Sequence, residues 1–150
     1  MTDDEFAAAF EALALPPSEF RHADHVRLAW IYLKRMPLPA AMQRYGERLK
    51  AFAGHVGKLG LYHETITFAF LLVINERMAD GPADEGGAAF RDRNPDLFAG
   101  IRIALGRWYS DERLASARAR AGFVMPDRPS WHPWLKAEDA PQDERAEISS

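Results

Sequence analysis

Thr65-Ile66-Thr67-Phe68-Ala69-Phe70-Leu71-Leu72-Val73-Ile74-Asn75-Glu76-Arg77-Met78 is the most hydrophobic stretch of the chain, and its reading as strand or helix decides the fold class. The β-branched residues at 65–67 and 73–74 favour a strand locally. A run of about fourteen residues with no turn signal nevertheless exceeds a usual strand. Asn75-Glu76-Arg77 also prolongs it as the polar end of a helix, so the segment reads as a buried helix.

Working outward from it, Gly54, Gly57 and Gly60 precede the run as a flexible connection, and Asp80 to Gly87 follows it as a Gly, Pro and Asp loop. Upstream, Ala40 to Phe52 carries Met42, Tyr45, Leu49 and Phe52 at three- and four-residue steps, which gives an amphipathic helix with one wet face. Val26 to Leu33 is apolar on nearly every face except Arg27, so a central helix is expected there, bounded by Pro16-Pro17 and Pro37. Thr2 and Glu5 stand at capping-box spacing before a short helix through Phe6, Phe10 and Leu13. Downstream, Pro95 fits the first turn of a helix through Leu97, Phe98, Ile101 and Leu105. Ser110-Asp111-Glu112 supplies an N-cap and first-turn acids for a further helix, Leu114 to Ala121, stopped by Gly122. The expected architecture is all-α: a compact single-domain bundle of about six helices over residues 1–128. Residues 129–150, with Trp131-His132-Pro133-Trp134 followed by a polar, acidic run, are expected to be a partly disordered tail, although the aromatic segment suits docking on the helices.

The chain has 150 residues, 47% hydrophobic and 27% charged, with no Cys. That length buries roughly 70% of the unfolded surface, enough for a core without disulfides or a structural metal. The missing Cys excludes thiol nucleophiles, iron–sulfur clusters and Cys-containing zinc patterns. A formal charge of −3 creates no global attraction to nucleic acid or anionic membrane. The N-terminal residues are acidic where a signal peptide needs positive charge, and Ile66 to Ile74 is too short to span a bilayer, so a cytoplasmic protein is expected.

Chemistry is concentrated in histidines. In Phe20-Arg21-His22-Ala23-Asp24-His25, the two imidazoles stand three positions apart and project to one side of a helix, as a pair of metal ligands must. Asp24 points elsewhere and suits an acceptor for an imidazole N–H or a first-turn acid. In Leu61-Tyr62-His63-Glu64-Thr65, His63 continues through Thr67, Phe70 and Ile74 on one helical face. If the second and fourth helices are neighbours, His22, His25 and His63 converge, with His55 or Glu64 completing the shell. Three nitrogen ligands with a carboxylate or open position suit a divalent transition metal, iron or zinc above all. Glu64 and Asp24 are the candidate acid–base groups. The competing reading makes Tyr62 to Thr65 a capping segment, with His63 or Thr65 receiving backbone donors, and His22 and His25 as core or capping histidines. Gly54-His55-Val56-Gly57-Lys58-Leu59-Gly60 lacks the spacing and the Ser or Thr of a phosphate loop, but His55 and Lys58 suit a pocket entrance. Residues 91–128 hold eight Arg against five acids, an excess more often spent on surface and helix-end pairs than on an anionic partner.

Phe20-x-His22-x-Asp24-His25-x-Arg27-Leu28-Ala29-Trp30, Tyr62-His63-Glu64-Thr65-Ile66-Thr67 and Tyr109-Ser110-x-Glu112-Arg113-Leu114 resemble a family of small bacterial hypothetical proteins. Ala117-Arg118 and Phe123-Val124-x-Pro126-Asp127 extend the resemblance over most of the chain before residue 128. It implies a bacterial origin and a peripheral tail, and it transfers no mechanism or ligand set. Three functions follow from the residues themselves: a metal-dependent enzyme of hydrolytic or oxygen chemistry acting on a small molecule, a small-molecule binding module, or a helical interaction protein. No nucleic-acid or membrane partner is expected.

Overall fold

The computed structural model describes residues 1–128, and these are helical with no strand. The fold is all-α. The Trp131 to Trp134 segment and the acidic tail lie outside the described residues. Helix α1 spans Asp3–Glu11, α2 His22–Arg35, α3 Leu38–His55 and α4 Glu64–Ala79. Five shorter helices follow: α5 Gly87–Arg93, α6 Pro95–Ala99, α7 Ile101–Leu105, α8 Asp111–Ala115 and α9 Ala117–Ala121. None of the helices described is long and apolar enough to cross a membrane.

Local chemistry accounts for the helix ends. Thr2 and Glu5 form the reciprocal capping box that opens α1. Ser110 Oγ accepts the Arg113 N–H at the start of α8. The helix expected from Pro95 to Leu105 divides at Gly100, whose φ of 151° only glycine adopts without strain. The helix expected through Leu114 to Ala121 divides at Ser116, whose extended backbone ends α8 while its Oγ caps α9 by accepting from Ala119 N–H. A further helix, α5, lies between the loop at 80–87 and Pro95, a stretch with no predicted element. The two divisions together with α5 account for the difference between about six expected helices and the larger number observed among the described residues.

The hydrophobic stretch at 65–78 is α4, and it packs on α2, α3, α7 and α9. Helix α2 in turn meets α1, α3, α5 and α6, so α2 and α4 form the centre of the bundle. Leu28, Ile31, Leu71 and Ile74 are fully buried in that centre. The α3–α4 contact is close at Gly46, where an added Cβ would lie 3.2 Å from the Phe68 ring. Phe10 of α1 has no exposed surface and touches Phe20, Phe52, Tyr32 and Tyr45, with ring centroids 5.4, 5.8, 6.3 and 6.5 Å away. Aromatic pairs add about 0.5–1.5 kcal/mol each beyond area burial. Phe10 therefore anchors from behind three side chains, Phe20, Tyr45 and Phe52, whose other sides face the cavity described next.

Candidate functional site

A cavity of about 410 Å3 lies between α2, α3 and α4, closed in part by Ile101 of α7. Its volume falls within the ~300–1,000 Å3 usual for small-molecule sites. Phe20, Phe52, Phe70, Val26, Leu49 and Ile66 make its wall chiefly apolar. Leu61 and Ile101, both exposed, stand where it opens to solvent. All three histidines expected to converge line this one cavity: His22, His25 and His63. The juxtaposition follows from the packing of α2 on α4.

Each histidine is held differently. His22 begins α2, and its Nε2–H donates to the Leu97 carbonyl at 2.9 Å, because a carbonyl can only accept. Its ring stands edge-on to Phe70 at 5.2 Å. His25, one turn on, stacks against Phe20 with centroids 4.0 Å apart. Burial, reinforced by His22 and opposed by Asp24, pushes the His25 imidazole down to about 4, so it is neutral near pH 7. A neutral imidazole keeps one donor and one acceptor, and no hydrogen bond engages either among the described residues. His63 is the N-cap of α4: its Nδ1 accepts the Ile66 N–H at 3.1 Å, and its Nε2–H donates to the Leu114 carbonyl at 2.7 Å. Burial also lowers its pKa, the Leu114 bond opposing the shift.

His63 therefore has no lone pair left for a metal ion. Among the described residues no group of three or more His, Asp or Glu side chains is placed to hold one. His55, the last residue of α3, is exposed and does not line the cavity. Of the four histidines expected to form an iron or zinc shell, His22, His25 and His63 line the cavity and His55 does not; His63 is engaged at both nitrogens and His22 at Nε2 alone. The capping reading of Tyr62 to Thr65 accounts for what is observed. Thr65 Oγ1 accepts from Val124 N–H at 3.1 Å and donates to Gly122 carbonyl at 3.0 Å, tying α4 to the chain after α9.

The two candidate acids stand off the cavity wall. Asp24 Oδ2 accepts the Arg21 N–H at 2.9 Å, the first-turn role open to it. Glu64 Oε1 accepts from the Tyr62 hydroxyl at 2.7 Å, and its Oε2 lies 3.8 Å from Lys50. No family model, curated protein or solved structure matches the chain.

Lys58, expected at a pocket entrance, lines the cavity. Tyr45, Leu49 and Phe52, not predicted as site residues, line it from α3. Their three- and four-residue spacing was visible, but that spacing is common to core and cavity wall alike. The remaining polar wall groups are internally satisfied: Tyr45 hydroxyl donates to His25 carbonyl at 3.2 Å and Thr67 hydroxyl to His63 carbonyl at 2.7 Å. The polar capacity left to a ligand is the His25 ring, Nδ1 of His22 and the Lys58 ammonium.

Proposed function

We propose that the protein binds a small, largely apolar molecule in the cavity between α2, α3 and α4. The observation that carries this reading is the cavity of about 410 Å3, whose mostly apolar wall presents a neutral His25 with uncommitted ring nitrogens. Such a combination, an apolar enclosure with few polar groups that fix orientation, is what small-molecule sites need. Binding is favoured over acid–base turnover by the same geometry. An imidazole held at about 4 is a weak base near neutral pH. Glu64 and Asp24 are engaged away from the wall, so no carboxylate is available there to orient an imidazole as base.

The test uses N-phenyl-1-naphthylamine, an uncharged fluorophore that brightens in apolar surroundings. Saturable binding at one molecule per chain is expected. Ala53→Phe, which puts a ring into the cavity from α3, should weaken binding at least about tenfold while helix content and melting temperature hold. Absence of saturable binding, or equal binding to a folded Ala53→Phe, would overturn the reading.

A further inference from the structure

Charge is distributed unevenly around the cavity. Among the described residues that line it there is no carboxylate, and Lys58 is its one lysine or arginine. His25 and His63 supply no fixed charge, since His25 is neutral and His63 needs an unprotonated Nδ1 to accept from Ile66. The Lys58 ammonium has no ion pair, hydrogen bond or ring contact among the described residues, whereas Lys34 and Lys50 both have partners. Its backbone is nonetheless fixed: Lys58 N–H donates to Ala53 carbonyl at 2.7 Å, just after Gly57 turns the chain at a φ of 74°.

Among the described residues, the surrounding edge carries two further cations, Lys50 and Arg120, and one carboxylate, Glu64. Arg120 donates from α9 to the Gly60 and Tyr62 carbonyls at 3.1 and 3.3 Å, gripping the turn that follows Lys58. Lys50 lies over the Tyr62 ring, 5.1 Å from its centroid. The Glu64 carboxylate is already shared between Tyr62 and Lys50. An apolar chamber entered beside an unpaired ammonium, with Lys50 and Arg120 behind it, complements a molecule with an apolar body and one negative end.

We infer that the ligand is an apolar monocarboxylate, its body among Phe20, Phe52 and Phe70 and its carboxylate paired with Lys58 at the mouth. This rests on the binding function proposed above and assigns the ligand's chemical class. A cation of the same length would meet Lys58 with like charge, and an alcohol would forgo the pair.

Displacement of N-phenyl-1-naphthylamine by decanoate, decan-1-ol and decylammonium, each below its aggregation threshold, separates the cases on the full chain. Decanoate is expected to bind about three- to tenfold more tightly than decan-1-ol, the range of a partly exposed to a charge-assisted pair, and decylammonium more weakly than either. Lys58→Gln should bring decanoate level with decan-1-ol, and Lys58→Glu should reverse the order of decanoate and decylammonium. Added salt should narrow the decanoate preference in the unsubstituted protein. Equal displacement by all three compounds would overturn the carboxylate assignment while leaving the binding function intact. A fluorophore that does not bind at all would overturn both. A lowered melting temperature in Lys58→Gln with an unchanged decanoate preference would also overturn it, assigning the ammonium to the carbonyl end of α3 instead.

Discussion

Replacing His63 by Ala removes two hydrogen bonds that join distant parts of the chain. The Ile66 N–H at the first turn of α4 loses its acceptor, and the Leu114 carbonyl of α8 loses its donor. Loss of a side-chain cap costs about 1 kcal/mol, and leaving a part-buried carbonyl unpaired costs about 1–3 kcal/mol. His63 is only 7% exposed, so water replaces neither bond readily. The expected destabilisation is about 3 kcal/mol, which for a domain of this size lowers the melting temperature by roughly 10 °C. His63→Asn divides the total: the Asn carboxamide oxygen is a good N-cap acceptor but is too short to reach Leu114, so about 1 kcal/mol should be recovered. Differential scanning calorimetry and urea titration of the three proteins at pH 7.5 provide the check. If His63→Ala melts within 2–3 °C of the unsubstituted protein, the double anchor contributes far less than about 3 kcal/mol and the reasoning fails. If His63→Asn is no more stable than His63→Ala, the cap component is wrong.

Two further outcomes follow from the charges. His25 has a folded pKa below its unfolded value, so the unfolded chain binds the extra proton first as pH falls, and stability present above about 6.5 is lost progressively toward about 4. That shift corresponds to a loss on the order of 3 kcal/mol, and His25→Phe, which keeps the stack on Phe20, should flatten urea midpoints across this window. Asp96 has its pKa lowered, chiefly by its hydrogen bond from Arg77, so its contribution is present above the ordinary carboxylate range and is lost progressively as pH falls through that range toward the lowered value. Arg77 donates to Asp96 at 2.9 and 3.1 Å and to the buried Asn94 Oδ1 at 2.9 Å. Arg77→Ala should therefore cost about 2 kcal/mol by leaving Asn94 Oδ1 short of a donor, and Asp96→Asn less, as read from denaturant midpoints.

The all-α class was legible because the deciding segment is long. A run such as Thr65 to Met78 cannot be accommodated as one ordinary strand, whatever its β-branched residues prefer locally. Caps were legible for a related reason, since Thr2 with Glu5 and Ser110 with Arg113 act within three residues. The breaks at Gly100 and Ser116 were not. A glycine inside a helical pattern is tolerated as often as it breaks one, and only the packing of α6 and α7 decides which occurs.

The candidate site divides along the same line. Imidazoles at the starts of two neighbouring helices satisfy the spacing for metal ligation and for structural capping equally well, because both need a ring nitrogen aimed inward from a first turn. What separates them is the position of two carbonyls, Leu97 and Leu114, 75 and 51 residues along the chain from the rings they receive. No periodicity carries information over that separation. Once those carbonyls are in place, His63 is committed as a strut between α4 and α8, His22 keeps one nitrogen, and His25 keeps both. The polar capacity of the cavity is therefore set less by how many histidines line it than by how many the backbone has left unengaged.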